Sequence, residues 1–224
     1  MLEKTRGIVL RYIKYQESSI IVNIFTEKFG LQSYIVNSVR RKSSNKIALF
    51  QPLSLLDLVV YHSDKKQIHR IKELRCNYGY GKIPWNIGKS AILIFISEIL
   101  LKVIKEGVES EGLFDFINDS LIILDKMSGK TESFHLIFLL KLSRYFGFYP
   151  GSPKQMITEI NVSTKLSVNL NELKIVFLAD IDTELQISNA GRRNILNILI
   201  AFYQTHFESF SEVKSVKILR EVLN

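Results

Sequence analysis

Five short segments rich in β-branched and aromatic residues occupy most of the first 75 residues, and they constrain the fold more than any other feature. This composition favours β-strands, and the polar segments between them favour turns, most clearly the hairpin turn from Glu27 to Gly30. A sheet this small avoids exposed edges best by closing on itself. We therefore predict an antiparallel barrel whose strands cover residues 5–12, 20–26, 31–38, 53–61 and 67–75.

The excess positive charge of the chain lies in the same segment. Residues 1–80 contain 14 Lys and Arg against 6 Asp and Glu, whereas the remainder contains 16 of each, so the predicted barrel carries the whole net charge of +8. This asymmetry suggests a polyanion-binding module joined to a neutral scaffold, with uneven decoration of the surface as the alternative. A basic five-stranded barrel is typical of the oligonucleotide-binding (OB) fold, and a barrel with another ligand is the structural alternative.

Aromatic rings alternate with the cations of the barrel segment. Single-stranded nucleic acid binding uses both, because cations bind phosphates and rings stack on bases. The densest cationic stretch runs from Arg40 to Lys46, between two predicted strands, where such barrels commonly meet a nucleic acid backbone. The candidate DNA-binding residues are Arg6, Arg11, Lys14, Lys28, Tyr34, Arg40, Arg41, Lys42 and Lys46.

Some of the rings must fill the barrel core. We expect Phe25 and Phe50 there, and the candidates for exposed, base-stacking rings are Tyr12, Tyr15, Phe29 and Tyr34.

The second half of the chain has a helical pattern. Glycines and a proline in residues 77–84 predict a linker. Wide apolar faces with helical spacing follow it, and such helices must pack together as a bundle. The predicted helices cover residues 88–105, 113–126, 132–146, 191–207 and 213–223. Arg192 and Arg193 fall in the first turn of one of them, where the helix dipole does not favour cations, so a partner or an acidic residue is expected to face them.

Residues 151–190 have no clear helical period, and residues 173–178 are strand-like. The predicted fold class is therefore α+β, with an OB-fold domain at residues 1–80 and a helical domain at residues 81–224 that contains an irregular insertion near residues 151–190.

The sequence contains no catalytic or cofactor-binding motif. The four histidines lack metal-ligand spacing, and no phosphate-binding glycine loop or nucleophile elbow occurs. Cys76 is the single cysteine, so neither a disulfide within the chain nor a cysteine zinc site can form. The longest apolar run, residues 91–96, is far shorter than the about 20 residues of a membrane span, and no signal peptide is evident. We expect a non-enzymatic cytoplasmic protein without cofactor or metal.

Several motifs occur in a specific order along nearly the whole chain. They are TRGIVL (5–10), ESS (17–19), FTEKFGL (25–31), the basic loop VRRKS (39–43), LFQPL (49–53), FLLKLSRYFGFYP (138–150) and KSVKILREVL (214–223). Each motif is weak alone, but their order together resembles the RecO family of bacterial recombination mediators, and most closely its Bacteroidetes-type branch.

The resemblance implies an N-terminal OB barrel, a helical C-terminal domain, binding of single- and double-stranded DNA, and annealing of complementary strands. It further implies partnership with RecR and with the acidic C-terminal tail of single-stranded DNA-binding protein, in loading the recombinase RecA. A nucleoid-associated cytoplasmic location during repair would follow. Many family members carry a four-cysteine zinc site after the segment that here ends at Pro150. Residues 151–190 contain no cysteine, so zinc is not expected in this chain.

Two hypotheses follow from these observations. In the first, the chain is a non-enzymatic DNA-binding mediator whose basic barrel holds the phosphates. In the second, the chain is a protein-interaction scaffold whose barrel binds an acidic protein tail rather than DNA.

Overall fold

The computed structural model describes residues 1–40, 45–63, 65–105, 112–160, 169–208 and 210–223. Within these ranges the chain forms two compact units. The first contains residues 1–80 together with residues 104–105, and it is built on five strands. The second contains residues 81–103 and the described residues from 112 onward, and it is helical.

The first unit is a closed barrel. Its strands are β1 (Leu2–Tyr15), β2 (Ser19–Thr26), β3 (Gly30–Val36), β4 (Leu55–Tyr61) and β5 (Ile68–Tyr78), with a 3-10 turn at Asn45–Phe50 between β3 and β4. Their order around the barrel is β1-β2-β3-β5-β4, and β1 closes it by pairing with β4. All pairs are antiparallel except β3 with β5. The predicted fold class, an OB-fold barrel followed by helices, is confirmed.

The barrel core follows from the alternation of side chains along each strand. Ile24 of β2 and Leu58 of β4 are both buried in it. Gly7 lies between them, because β1 pairs with both strands at this position. A Cβ atom at Gly7 would lie 2.6 Å from Ile24 Cγ2 and 2.7 Å from Leu58 Cδ1. The two side chains therefore close over a position that only glycine fits without displacing them.

The second unit packs its helices around α3. Its described helices are α1 (Ile87–Val103), α2 (Leu113–Lys126), α3 (Phe134–Leu142), α4 (Pro153–Glu159), α5 (Leu170–Leu178), α6 (Asn189–His206) and α7 (Val216–Val222). Every residue of α3 except Lys141 is buried. A helix that is apolar on all sides must be covered by its neighbours, and α1, α2, α5 and α6 all contact it. Among the helices in the described ranges, none is both long and apolar enough to cross a membrane.

The strand-like interpretation of residues 173–178 is wrong, because this segment lies in α5. The side chain of Asn169 accepts hydrogen bonds from the backbone N–H groups of Asn171 and Glu172, which starts the helix. Leu173 and Val176, three residues apart, then share the buried face. Residues 153–159 form α4, so helices lie on both sides of residues 161–168, whereas residues 179–188 are irregular apart from a turn.

Arg192 lies in the first turn of α6, as predicted, and its partners are carbonyl and amide oxygens. Its guanidinium donates to the backbone oxygens of Ile187, at 2.9 Å, and Leu223, at 3.0 Å, and to the amide oxygen of Asn189, at 2.7 Å. Leu223 follows the last turn of α7, where carbonyl oxygens lack helical partners. The charge of Arg192 is therefore used to hold the end of α7 against α6.

Candidate nucleic-acid interface

The two halves of β1 belong to different parts of the barrel. Residues 2–8 pair with β4, whereas residues 7–15 pair with β2. The register shifts between Val9 and Arg11, and Val9 exchanges backbone hydrogen bonds with Leu53 and Ser54 there. Such an irregularity bends a strand and increases its twist. Arg6 and Arg11, five residues apart in sequence, consequently lie on separate surfaces, and the predicted cations divide into two groups.

The first group lines a groove on the outside of β1, β4 and β5, which we call the β1–β4–β5 groove. Its volume is about 800 Å³. Arg6 and Lys46 of the predicted set lie there. Three further cations, Lys4, Lys72 and Arg75, share it and were missed by the sequence analysis. No local signal marked Lys72 and Arg75 as a pair, because strict alternation places residues three apart on opposite faces of a strand.

Carboxylates in the groove bind several of these cations. Arg6 forms a bidentate pair with Glu27, with Nη2–Oε1 and Nε–Oε2 distances of 2.8 and 2.9 Å. This hydrogen bonding lowers the pKa of Glu27. Arg75 Nε donates to Asp57 Oδ2 at 2.8 Å. The net positive charge of the groove is therefore smaller than the number of its lysines and arginines indicates.

Lys28 lies near this group, on the turn between β2 and β3. Its Nζ is 3.3 Å from Glu3 Oε2, and its backbone N–H donates to the hydroxyl of Thr5. Both partners belong to the N-terminal half of β1. Lys28 is thus placed beside Arg6 and paired with a carboxylate.

The second group lies on the outer surface of the C-terminal half of β1, β2 and β3, which we call the β1–β2–β3 face. Arg11 is exposed there. Lys14 pairs with the buried Ile20, so it belongs to the other side of the sheet and is exposed near the end of β1. Neither cation forms an ion pair within the described part of the chain. Arg40 is exposed and joins them, since its backbone N–H donates to Ser18 O and its Nη1 to Gln16 O, both in the turn after β1. Tyr15 is 39% exposed beside this turn.

An apolar row crosses the same face. Ile13 of β1 pairs with Ile21 of β2, which pairs with Ile35 of β3, and Arg70 of β5 comes next in register. Side chains at directly paired positions point to the same side of a sheet. Ile13 is 53% exposed, while Ile21 and Ile35 are half-buried. The face therefore combines unpaired cations with an aliphatic strip.

Tyr34 is not an exposed ring, and its prediction as a DNA-binding residue is wrong on this ground. Its side chain is 0% exposed in the barrel core, paired in register with Val22 and His69. Its hydroxyl has no hydrogen-bond partner among the described residues, and burial raises the pKa of the phenol. A ring enclosed by the barrel cannot stack on a base.

The other aromatic predictions have mixed outcomes. Phe50 lies in the barrel core, as expected, whereas Phe25 is buried but does not belong to that core. Tyr12 and Phe29 were candidates for exposure but are half-buried against the core. Phe29 stacks on His62 with 3.9 Å between ring centroids. Tyr15 alone of the four candidates is an exposed ring.

Arg41 and Lys42, in the densest cationic stretch, lie outside the described residues. Within the described ranges no group of three or more His, Cys, Asp and Glu residues could hold a metal ion.

Comparisons with known proteins cover the whole chain. The family sequence model described as "Recombination protein O N terminal" matches residues 1–80, and that described as "Recombination protein O C terminal" matches residues 86–154. The chain is 36% identical to the DNA repair protein RecO of Flavobacterium psychrophilum over 99% of both chains. It is also 36% identical to that of Flavobacterium johnsoniae over 99% of both chains, and 30% identical to that of Phocaeicola vulgatus over the full length of both.

Proposed function

The chain belongs to the RecO family, and on that premise we propose that it is a non-enzymatic DNA repair and recombination protein that binds single- and double-stranded DNA and anneals complementary strands. Residues 1–80 would be the DNA-binding domain, and residues 81–224 the helical domain. The family further suggests that the protein acts with RecR to load RecA onto single strands coated by single-stranded DNA-binding protein, whose C-terminal tail it would bind.

The β1–β2–β3 face carries this proposal. Its cations Arg11 and Arg40 are exposed, and Lys14 is exposed near the adjoining end of β1; the side chains of Arg11 and Lys14 are not engaged by carboxylates of the described residues. Tyr15 offers a ring beside them. Phosphates would bind the cations and release counterions, so binding is expected to be independent of sequence and steeply sensitive to salt.

Annealing follows from the same electrostatics. Two strands repel each other through their phosphates, and a cationic surface reduces that repulsion. A protein that holds phosphates while leaving most base edges accessible allows a second strand to pair. No covalent step is involved.

Fluorescence anisotropy with a labelled oligothymidylate at low salt tests the proposal. The variant Arg11→Gln/Lys14→Gln/Arg40→Gln should lose affinity, and the slope of log K against log salt should fall by about 2 to 3. A matched control removes three exposed lysines of the helical unit, Lys130→Gln/Lys154→Gln/Lys174→Gln. Absence of binding by the unaltered protein, or equal losses in the two variants, would contradict the proposal.

The apolar row favours a second candidate function, in which the barrel binds an acidic protein tail. Ile13, Ile21 and Ile35 form the row, and the cations Arg11 and Arg70 stand beside it. An extended peptide with apolar and acidic side chains would complement both features. An acidic peptide that ends in phenylalanine should then bind, and Ile21→Thr should weaken that binding while DNA affinity stays constant. If Ile21→Thr weakens DNA binding alone, this candidate is excluded.

A further inference from the structure

The β1–β4–β5 groove lies on the half of β1 that pairs with β4, apart from the face proposed above for the first strand. Its positive groups are arranged in rows that cross the strands. Arg6, Asp57 and Arg75 are directly paired on β1, β4 and β5, and so are Lys4, Val59 and Glu73. Cations thus stand on both sides of β4, with a groove between them.

Two of the three carboxylates that line the groove, those of Glu27 and Asp57, already have donors from the protein. Both oxygens of Glu27 accept from Arg6. Asp57 accepts from Arg75 at one oxygen and from the side chain of Asn77, at 2.8 Å, at the other. Repulsion of an incoming anion by these carboxylates is therefore reduced.

Cations on the walls remain directed at solvent. The Arg75 side chain is 81% exposed, and its Nε alone is used by Asp57. Lys4 is exposed and has no ion pair with any described residue. The Lys72 Nζ lies 3.6 Å from Glu73 Oε1, in an exposed pair of the kind that a phosphate readily displaces. The groove therefore presents a net positive lining along its length.

The absence of aromatic side chains from the described lining of the groove indicates which part of a nucleic acid the groove can bind. None of the described residues that line the groove is aromatic, and its apolar members are the aliphatic Leu58, Val59 and Leu74. Bases bound without sequence preference are held mainly by stacking on rings. This groove can bind the phosphates of a polynucleotide but offers no ring to its bases.

We propose that the β1–β4–β5 groove is a second polynucleotide-backbone site, so that one barrel holds two strands at once. This inference rests on the proposed function, because the first strand is placed on the β1–β2–β3 face. The bend of β1 between Val9 and Arg11 separates the two sites while keeping them on one small domain. A strand held by its backbone alone keeps its bases available for pairing, as annealing within one protein molecule requires.

The test uses two oligothymidylates of equal length that cannot pair, one carrying a donor dye and the other an acceptor dye. Added to the full chain at low salt, they should give energy transfer, and sedimentation velocity should show one 25.9 kDa chain with two strands. Lys4→Gln/Lys72→Gln should weaken binding of the second strand and lower the salt slope of that binding by about 2, while the first strand stays bound. The control is Lys65→Gln/Lys66→Gln, which removes two exposed charges from the turn between β4 and β5.

Three outcomes would overturn the inference: one strand per unaltered chain, two strands only in complexes with two chains, or unchanged second-strand binding by Lys4→Gln/Lys72→Gln. If that variant retains both strands but no longer binds polyglutamate, the groove is a site for acidic protein instead. Failure of the proposed function looks different, because then not even the first strand binds.

Discussion

The guanidinium of Arg6 and the carboxylate of Glu27 form a two-point pair in the lining of the β1–β4–β5 groove. Arg6 is one of the cations by which the sequence predicts a DNA-binding surface. In the folded chain its charge is balanced locally by a residue 21 positions away. The number of cations in a segment therefore overstates the charge available to phosphates.

Removing the carboxylate should strengthen DNA binding. Glu27→Gln deletes one negative charge and releases the Arg6 guanidinium from this pair. Affinity for an oligothymidylate at low salt should rise by about two- to tenfold, and the gain should disappear at high salt. The free energy of unfolding should change by no more than about 1 kcal/mol, because the pair is exposed. Anisotropy titrations over a salt series measure this. Glu212→Gln, on the helical unit, is the control, and an equal gain there would show that only net charge matters.

Tyr34 should matter for stability and not for DNA binding. Tyr34→Phe removes a buried hydroxyl that lacks a partner among the described residues, so the free energy of unfolding should be unchanged or about 1 kcal/mol higher. Tyr34→Ala empties part of the barrel core and should cost about 3–5 kcal/mol. Urea denaturation of the full chain provides both values. Weaker DNA binding by a stable Tyr34→Phe protein would restore the residue to the interface.

His135 should make the protein less stable in mild acid. Burial, and to a smaller extent the charge of Arg192, lowers the pKa of His135 to about 3. An unfolded chain binds a proton at this histidine below about pH 6.5. Between these two pH values the unfolded state binds one more proton than the folded state at this residue, so the free energy of unfolding rises with pH. As the pH falls below about 6.5, the free energy of unfolding should decrease by up to about 1.4 kcal/mol for each pH unit.

The variant His135→Phe isolates this effect. It keeps a ring beside Phe95, whose centroid is 5.6 Å from that of His135. Urea denaturation at several pH values from 7 to 5 should give a flatter dependence for the variant than for the unaltered protein. Parallel curves would show that other groups account for the acid sensitivity.

Asp125 should be a strong determinant of stability in the helical unit. Its carboxylate accepts hydrogen bonds from three successive backbone N–H groups, those of Gly81, Lys82 and Ile83, at 2.8–2.9 Å. Asp125→Ala leaves these donors unpaired, including the buried one of Ile83, and should cost about 1–3 kcal/mol or more. Asp125→Asn should cost less, because its amide oxygen still accepts. Urea denaturation compares both with the exposed control Asp182→Ala; equal stability of Asp125→Ala and the control contradicts this assignment.

Only some of the cations at the candidate interface could be predicted from the sequence. Arg11, Lys14 and Arg40 could be named from their charge alone, and the structure leaves all three exposed, with Lys14 on the other side of β1 from Arg11. Lys72 and Arg75 were missed, since nothing local distinguishes them from other strand lysines and arginines until β4 places Asp57 beside them. The helical pattern of α5 had a visible signal, Asn169 three residues before Glu172, which is typical of a helix start.

The sequence by itself determined the five strands, the hairpin turn at Glu27–Gly30, the confinement of excess charge to the first 80 residues and, through its ordered motifs, the family. These are properties of short segments or of composition, so they can be predicted without knowing which residues are in contact in the folded chain. The tertiary structure alone decided that Tyr34 faces inward, that Arg6 is paired with Glu27, and that Arg6 and Arg11 stand on different surfaces. Burial and ion pairing depend on residues that only the closure and bending of the barrel bring together, and one bend in β1 was enough to divide a single predicted site into two.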